Sequence, residues 1–534
     1  MRPRGTGRAR TRRGPPPRST TDVQHRGPPE TAPRHKEPRT PVRNRILSAT
    51  AVCATTLLGV TLPATSAAAV PPPVTQDFNG DGYRDLAVGV PAGKVGTASK
   101  AGYVHVLWGG SHGVGKQGSV RISQATAGVP GTPEADDLFG SAVVAADVDG
   151  DRFADLVVGA SSESLTSDPF AEQGTVTVLR GSAAGFSGGY TVARGDSEFA
   201  RIGSVIAAGD VTGDGRTDLA LSRRGEEEGG VVLRPGPLTA GSPDTLTAPI
   251  DEVNFGGTVA LATGDFDGDG DDDLALSARA TESRYTLVLR WQDGVPARLW
   301  RTPASAASLA VGDFDGDGAD DLALGACSPD YEADAPVCAD YSTGRAETFK
   351  GGLVHVAYGS GSGGFGARTQ DIHQDTPGIV GAAESEDRLG VSLAAADTDG
   401  DGYADLAVGD PYEAIGARRE AGSVLVVRGS GTGLLSSAGT ASSLGFSQST
   451  AGVPGSAESG DHFGASVALG DYDADGHADL VTGAPGENTA TGGVWFLRGT
   501  PQGPGAAYSK ALTPKGLGLP VTSELGYGLV LGRD

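Results

Sequence analysis

The stretch DFDGDGADDLALG, residues 313–325, decides the fold. Carboxylates stand at its first, third, fifth and ninth positions (Asp313, Asp315, Asp317, Asp321), glycines stand between them, and the last carboxylate opens an apolar run. A Gly- and Asp-rich turn between two strand-like segments reads as a hairpin. The pattern recurs as DFNGDGYRDLAVG at Asp77, DVDGDRFADLVVG at Asp147, DVTGDGRTDLALS at Asp210, DFDGDGDDDLALS at Asp265, DTDGDGYADLAVG at Asp397 and DYDADGHADLVTG at Asp471, seven copies in all. Their starts lie 70, 63, 55, 48, 84 and 74 residues apart, too irregular for a tight solenoid and suited to propeller blades joined by variable loops.

Working outward, each copy after the first is preceded by an alternating apolar segment such as FGASVALG (Phe463 to Gly470). Each is followed by a further strand-like run, from GYVHVLWG at Gly102 through GTVTVLRG at Gly174 to GGVWFLRG at Gly492. A weaker outer strand completes the unit, because the segments starting at Ser123 and Ser447 match at 13 of 21 positions. Four strands per unit make a blade, and the expected fold is an all-β, seven-bladed propeller of four-stranded antiparallel blades. The first loop lacks a preceding strand while the chain ends on ELGYGLVLGRD, so the C-terminal strand is expected to complete the first blade and close the ring.

The repeated positions specify an ion. The first, third, fifth and ninth positions are Asp77, Asn79, Asp81 and Asp85 in the first loop, Asp147, Asp149, Asp151 and Asp155 in the second, and Asp210, Thr212, Asp214 and Asp218 in the third. They are Asp265, Asp267, Asp269 and Asp273 in the fourth, Asp397, Asp399, Asp401 and Asp405 in the sixth, and Asp471, Asp473, Asp475 and Asp479 in the seventh. The seventh position (Tyr83, Phe153, Arg216, Asp271, Ala319, Tyr403, His477) varies freely, as expected if only its carbonyl faces the ion. Oxygen-only ligands suit a hard cation, so up to seven Ca²⁺ are expected, and Zn²⁺ is not. An EF-hand would need a bidentate Glu at position 12, where Val88, Val158, Leu221, Leu276, Leu324, Val408 and Thr482 stand instead. The weakest binding is expected at the Asp147 loop, where Arg152 occupies a position that wants positive φ, and at the Asp210 loop, where Thr212 replaces a carboxylate.

These loops account for the composition. Of 46 aspartates, 26 fill the 28 side-chain ligand positions, and 85 glycines serve the turns of a chain whose formal charge is -24. Such acidity excludes nucleic acid as the main partner. Residues 1–41 are basic, proline-rich and expected to be unfolded, and 42–69 read as a secretory signal peptide with an uncharged stretch from Ile46 to Ala69. Its removal leaves a propeller over 70–534 with 29 basic and 63 acidic residues, a charge of -34, and no membrane span. In an exported chain Cys327 and Cys338, eleven residues apart, are expected to form a local disulfide.

The same residues resemble FG-GAP repeats, the units of the seven-bladed propeller at the N-terminus of integrin α subunits and in glycosylphosphatidylinositol-specific phospholipase D. The signature stands as Phe139-Gly140, Phe255-Gly256 and Phe463-Gly464 with Gly483-Ala484-Pro485, and degenerates to Leu389-Gly390, Gly89-Val90-Pro91 and Gly159-Ala160-Ser161. The resemblance runs from about Val74 to Asp534 and implies calcium loops on one face, with a ligand bound on the opposite face or rim. All seven units keep the loop, whereas integrin α propellers keep it in some, which looks more like bacterial secreted members.

The functional expectation is a secreted, monomeric, calcium-binding module for a protein or cell-surface glycan ligand. An extracellular hydrolase or a lectin on the same propeller is the alternative. For catalysis the sequence offers GxSxG at Ser111 and Ser187, neither between a strand and a helix as a nucleophile elbow requires, and no HExxH. His105 and His355 occupy equivalent third-strand positions, which suggests packing. Arg194-Gly195-Asp196 spells an adhesion tripeptide and is expected to be structural. Trp108 and Trp495 should pack between blades, leaving Trp291 and Trp300 as surface candidates for sugar stacking.

Overall fold

The computed structural model describes residues 74–533, except 225–228, 245, 247–256, 280–283, 293, 304, 326, 329–336, 339–350, 363 and 385–386. The expected signal segment and Phe255-Gly256 therefore lie outside the described residues. Blade 1 orders its strands Val530–Leu531, Leu86–Val90, Tyr103–Leu107 and Ser119–Ile122 from centre to rim. Blade 2 comprises Phe139–Ala146, Asp155–Ala160, Thr175–Leu179 and Gly189–Arg194, and blade 3 shows Ile206–Gly209, Asp218–Arg223 and Gly230–Arg234 among the described residues. Blade 4 is Gly257–Gly264, Asp273–Arg279, Arg284–Gln292 and Val295–Thr302, and blade 5 is Ser308–Gly312, Asp321–Gly325, Val354–Ala357 and Thr369–Ile372. Blade 6 is Ser392–Ala396, Asp405–Asp410, Ser423–Val427 and Ser443–Phe446, and blade 7 is Ser466–Gly470, Asp479–Ala484, Gly493–Arg498 and Gly505–Leu512. Every pairing within a blade is antiparallel, and the ring is an all-β seven-bladed propeller.

Burial explains the strand sequences. A second strand such as Leu86–Val90 is covered on both faces by its neighbours and is apolar throughout, whereas the rim strand Ser119–Ile122 is covered only at one end. The core is divided among seven apolar clusters, one at each seam. At the seam of blades 7 and 1, for instance, Leu86, Val88 and Tyr103 pack with Tyr472, Val481 and Phe496.

The signature glycines form one repeated contact between blades. A Cβ on Gly483 would come within 1.8 Å of the Gly528 carbonyl oxygen, and one on Gly409 within 2.0 Å of that of Gly464. Gly325 meets the Gly390 carbonyl in the same way at 1.9 Å. Each glycine of a second strand thus lies under the glycine that opens the next blade, and the opening glycine itself has φ near +90°, as at Gly464 and Gly528. Blade 4 has Ser277 at this place, and its Oγ accepts the Ala306 N–H at 2.7 Å and donates to the Ala306 carbonyl at 3.0 Å.

The C-terminus closes the ring as the sequence predicts. Val530 and Leu531 pair with Gly89 and Val88, Gly532 N–H donates to the Ala87 carbonyl at 2.8 Å, and Ala145 N–H of blade 2 donates to the Arg533 carbonyl at 2.8 Å. The last residues thereby link to blade 1 and to blade 2. In the insertion of blade 5 the two-residue strands Cys327–Ser328 and Val337–Cys338 pair antiparallel, with Cys327 opposite Cys338 in the backbone register.

Trp495 is buried against Phe463, and its Nε1–H donates to the Pro454 carbonyl at 2.8 Å, while Trp108 stacks on Phe186. The two tryptophans expected at the surface are partly buried and also packed at seams: Trp300 stands edge-on to Phe365 and Trp291 packs against the cluster between blades 3 and 4. Their indoles cover the outer ends of apolar clusters, a use that strand alternation alone does not reveal. His105 and His355 are buried; His105 Nδ1 lies 2.8 Å from the Tyr527 hydroxyl and His355 Nδ1 lies 2.6 Å from Asp371.

Candidate metal centre

Each loop leads into the second strand of its blade, in blades 2 to 7 directly from the first, so the seven lie at the same end of their blades. Their internal geometry repeats. The first-position carboxylate caps the turn: Asp313 Oδ1 accepts the N–H of Gly316 at 2.7 Å and of Asp317 at 3.2 Å, and its Oδ2 accepts that of Gly318 at 3.0 Å. The fifth-position carboxylate accepts the N–H two residues on, as Asp317 does from Ala319 at 3.0 Å. These bonds demand left-handed backbone at the fourth and sixth positions, φ +73° at Gly316 and +90° at Gly318. Arg152 and Ala474 are held in that region too, at φ +77° and +56°.

The ninth-position aspartate does more than offer a ligand. Asp321 Oδ2 accepts the Phe314 N–H at 2.8 Å and its Oδ1 accepts the Gly359 N–H at 2.8 Å, fastening the loop to the end of the third strand. Asp85, Asp405 and Asp479 make the same two bonds, and none of these four is more than 1% exposed. Burial pushes Asp85 and Asp155 up to about 7, Asp273, Asp321 and Asp479 up to about 8, and Asp405 up to about 6, with neighbouring loop carboxylates adding to the rise. A buried carboxylate among other carboxylates is costly to ionise unless a cation joins it.

The third-position carboxylates supply the test of fit. One oxygen of Asp267, Asp399 and Asp473 (Oδ1 in each) is buried with no hydrogen-bond partner. In four loops carboxylate oxygens converge to within 4.8 Å of one another: Asp147, Asp149 and Asp155; Asp265, Asp267 and Asp269; Asp313, Asp315 and Asp321; Asp397, Asp399 and Asp405. An all-oxygen set with buried unpartnered acceptors fits a hard divalent cation.

Three features of this end escape a reading of the loops alone. First, an arginine accompanies each third-position carboxylate. Arg290 meets Asp267 at 2.9 Å, Arg498 meets Asp473 at 2.6 Å, Arg428 meets Asp399 at 3.4 Å, and Arg180 opposes the burial-driven rise of Asp149. In blade 5 Tyr358, just past the third strand, takes the arginine's place, and Arg368, just before the rim strand, pairs with Asp315. Blades 1 and 3, with neutral Asn79 and Thr212, carry Trp108 and Pro235 there. Counted over the four ligand positions and the accompanying arginine alone, four aspartates less one arginine, or three aspartates, sum to -3 in each blade. Second, the seventh position is not idle. The rings of Phe153 and Tyr403 lie over Gly80 and Gly316 of the preceding blade, close enough that a Cβ would meet them at 2.5 and 2.6 Å. Third, the eighth residue donates to the first-position carbonyl one blade back, as Ala404 N–H does to Asp313 at 2.9 Å and Ala478 N–H to Asp397 at 2.9 Å. Five such bonds link neighbouring loops.

A second polar cluster recurs at the seams. Gln124, Gln374 and Gln448 donate through Nε2 to Glu163, Glu413 and Glu487 at 2.6, 2.7 and 2.5 Å. Beside them Asp137, Asp387 and Asp461 accept the N–H of the residue three before. The aligned segments from Ser123 and Ser447, which keep the glutamine and the aspartate in register, carry the signal for it. The adhesion-like tripeptide is tied into ion pairs, Arg194 with Asp244 at 2.5 Å and Asp196 with Arg223 at 2.9 Å. Of the two GxSxG serines, Ser187 Oγ accepts from Arg180 Nε at 3.1 Å, and Ser111 Oγ lies 3.1 Å from His112 Nδ1 on an exposed turn.

Seven antiparallel blades, each with a DxDxDG-type loop ahead of its second strand, make a β-propeller that carries FG-GAP repeats. The FG-GAP repeat model matches residues 73–107, 139–179, 389–427 and 463–497. Among curated proteins, integrin alpha-4 of Xenopus laevis is 34% identical over 163 residues, 28% of this chain and 15% of the integrin. Phosphatidylinositol-glycan-specific phospholipase D of Bos taurus is 33% identical over 148 residues, 27% of this chain and 17% of the phospholipase. Integrin alpha-V of Gallus gallus is 31% identical over 163 residues, 29% of this chain and 14% of that integrin. The matched region is thus under a fifth of each relative's length.

Proposed function

We propose that this chain is an extracellular binding or adhesion module whose propeller is held together by calcium, with no catalysis of its own. Residues 42–69 would direct export, Cys327 and Cys338 would form a local disulfide, and the mature chain would act as a monomer on a protein or cell-surface ligand. The observation that carries the reading is the set of buried, unpartnered third-position oxygens within all-oxygen loops. In each loop the first, third, fifth and ninth side chains and the seventh carbonyl would hold the ion. The ion would neutralise carboxylates that burial otherwise penalises, and the loops at Asp147 and Asp210 would bind it most weakly. The similarity to integrins supports a protein or cell-surface partner, and the similarity to a phospholipase concerns the propeller repeats. The test is calcium titration of the mature chain by calorimetry, followed by capture from cell-surface extracts with calcium and with chelator. Several calcium equivalents per chain and calcium-dependent capture are expected; no calcium uptake would contradict the reading.

A further inference from the structure

The seam between blades 7 and 1 carries a pocket of about 270 Å³, lined by Ser111, His112, Lys116, Asp473, Phe496, Arg498, Tyr508 and Lys510. Its size lies just below the roughly 300–1,000 Å³ of drug-sized sites, so it suits a single sugar unit or a small anion. One wall is the rim strand of blade 7, Gly505–Leu512, where Tyr508 and Lys510, two residues apart, share a face. The opposite wall is the blade 1 turn that holds His112 and Lys116. It is pinned to blade 7 by the Gly110 N–H, which donates to the Tyr472 carbonyl at 3.2 Å. A Cβ on Gly113 would collide with the Phe496 ring at 2.2 Å, so the turn lies directly on the pocket floor.

The charge is out of keeping with the rest of the chain. In a molecule of net charge -24, Lys116, Arg498 and Lys510 share one small cavity with a single carboxylate, Asp473. Arg498 is committed to Asp473 at 2.6 Å and Asp475 at 2.8 Å. Lys510 Nζ lies 4.9 Å from the Phe496 ring centroid and donates to the His112 carbonyl, while Lys116 makes no ion pair among the described residues. Two lysines therefore face the cavity without a carboxylate partner. Burial and then the Lys116 charge draw the Lys510 ammonium below the ordinary lysine range, a strain that an anion between the two amines would relieve. Beside them Tyr508 is 66% exposed, an aromatic ring offered to solvent on a strand whose neighbours are small. Lysines act as point charges toward phosphate and sulfate, and a tyrosine presents an apolar face with a polar tip.

We propose that this pocket binds an anionic saccharide: a sugar ring against Tyr508, with its sulfate or phosphate ester between Lys116 and Lys510. The proposal deepens the reading of the chain as a binding module and depends on it, but needs no loop metal in the pocket itself.

The experiment titrates the mature chain with glucose 6-sulfate, glucose 6-phosphate, glucose and inorganic sulfate by calorimetry. Wild type is compared with Lys116→Ala, Lys510→Met and Tyr508→Ala, with a thermal melt of each to establish folding. Both esters should bind, each lysine variant should weaken them at least tenfold, and Tyr508→Ala should weaken the esters while leaving inorganic sulfate unchanged. Failure of both esters to bind, affinity unchanged in the lysine variants, or inorganic sulfate binding as tightly as the esters would overturn the proposal. Calcium uptake measured on the same samples tests the loops separately, so failure of the pocket and failure of the calcium reading give different results.

Discussion

At the scale of the residue, the glycines and aspartates answer to contacts made far away in the chain. Gly483 is glycine because the Gly528 carbonyl occupies the place of its side chain, 1.8 Å from where a Cβ would stand. Gly483→Ala should therefore cost about 3 kcal/mol through forced overpacking at the closing seam, read as a lower midpoint in denaturant. Gly364→Ala, where no atom lies within 4 Å of the added Cβ, should change stability by less than about 0.5 kcal/mol. Equal effects of the two would show that the glycine contact does not hold the blades. The four oxygen-bearing positions of each loop were legible from seven-fold repetition alone, and in four loops their carboxylate oxygens converge to within 4.8 Å. What was not legible is the second use of the ninth aspartate. Asp479 is fastened to Gly499, 20 residues on, and no local pattern announces a bond across that interval.

At the scale of the element, strands were readable from their apolar runs, but the contacts between blades were not. Arg368 reaches Asp315 across 53 residues, and the seventh-position rings cover glycines of the preceding blade. Both substitute for partners that periodicity cannot pair. The seam between blades 5 and 6 makes a pH prediction. Asp410 is fully buried; its Oδ2 accepts from Gln374 Nε2 at 3.1 Å and its Oδ1 from Arg388 N–H at 3.0 Å, with Asp387 and Glu413 close by. The Arg388 guanidinium is stacked 4.2 Å over Tyr412. Burial, and then Asp387, hold Asp410 well above the carboxylate range and raise Glu413 from 4.5 to about 7. A raised folded-state value means that the native chain keeps protons which the unfolded chain has lost. Stability from this seam is therefore full below about pH 4 and falls as pH rises toward about 7. Melting wild type and Asp410→Asn in chelator from pH 5 to pH 8 should show the wild type losing more stability across that interval, because the other buried carboxylates are common to both. Parallel profiles would contradict the assignment.

At the scale of the whole molecule, the ring has no covalent closure among its described residues. It is sealed by the two-residue strand Val530–Leu531 and by glycine contacts at the seams, while seven acidic loops crowd the same end of the blades. The count of blades was readable from the seven loop copies, and the closing strand from one unpaired loop at the start and one unpaired strand at the end. The hydrogen bonds between loops were not, because they join residues 55 to 91 apart. On this account the loops need a cation to offset their buried carboxylates. Each site held at about ten times its dissociation constant contributes about 1.4 kcal/mol, and seven such loops together contribute on the order of 10 kcal/mol. The most direct test is the melting temperature of the mature chain in calcium and in excess chelator at neutral pH. The account predicts a fall of many degrees on chelation, fully restored by added calcium; an unchanged melting temperature would contradict it.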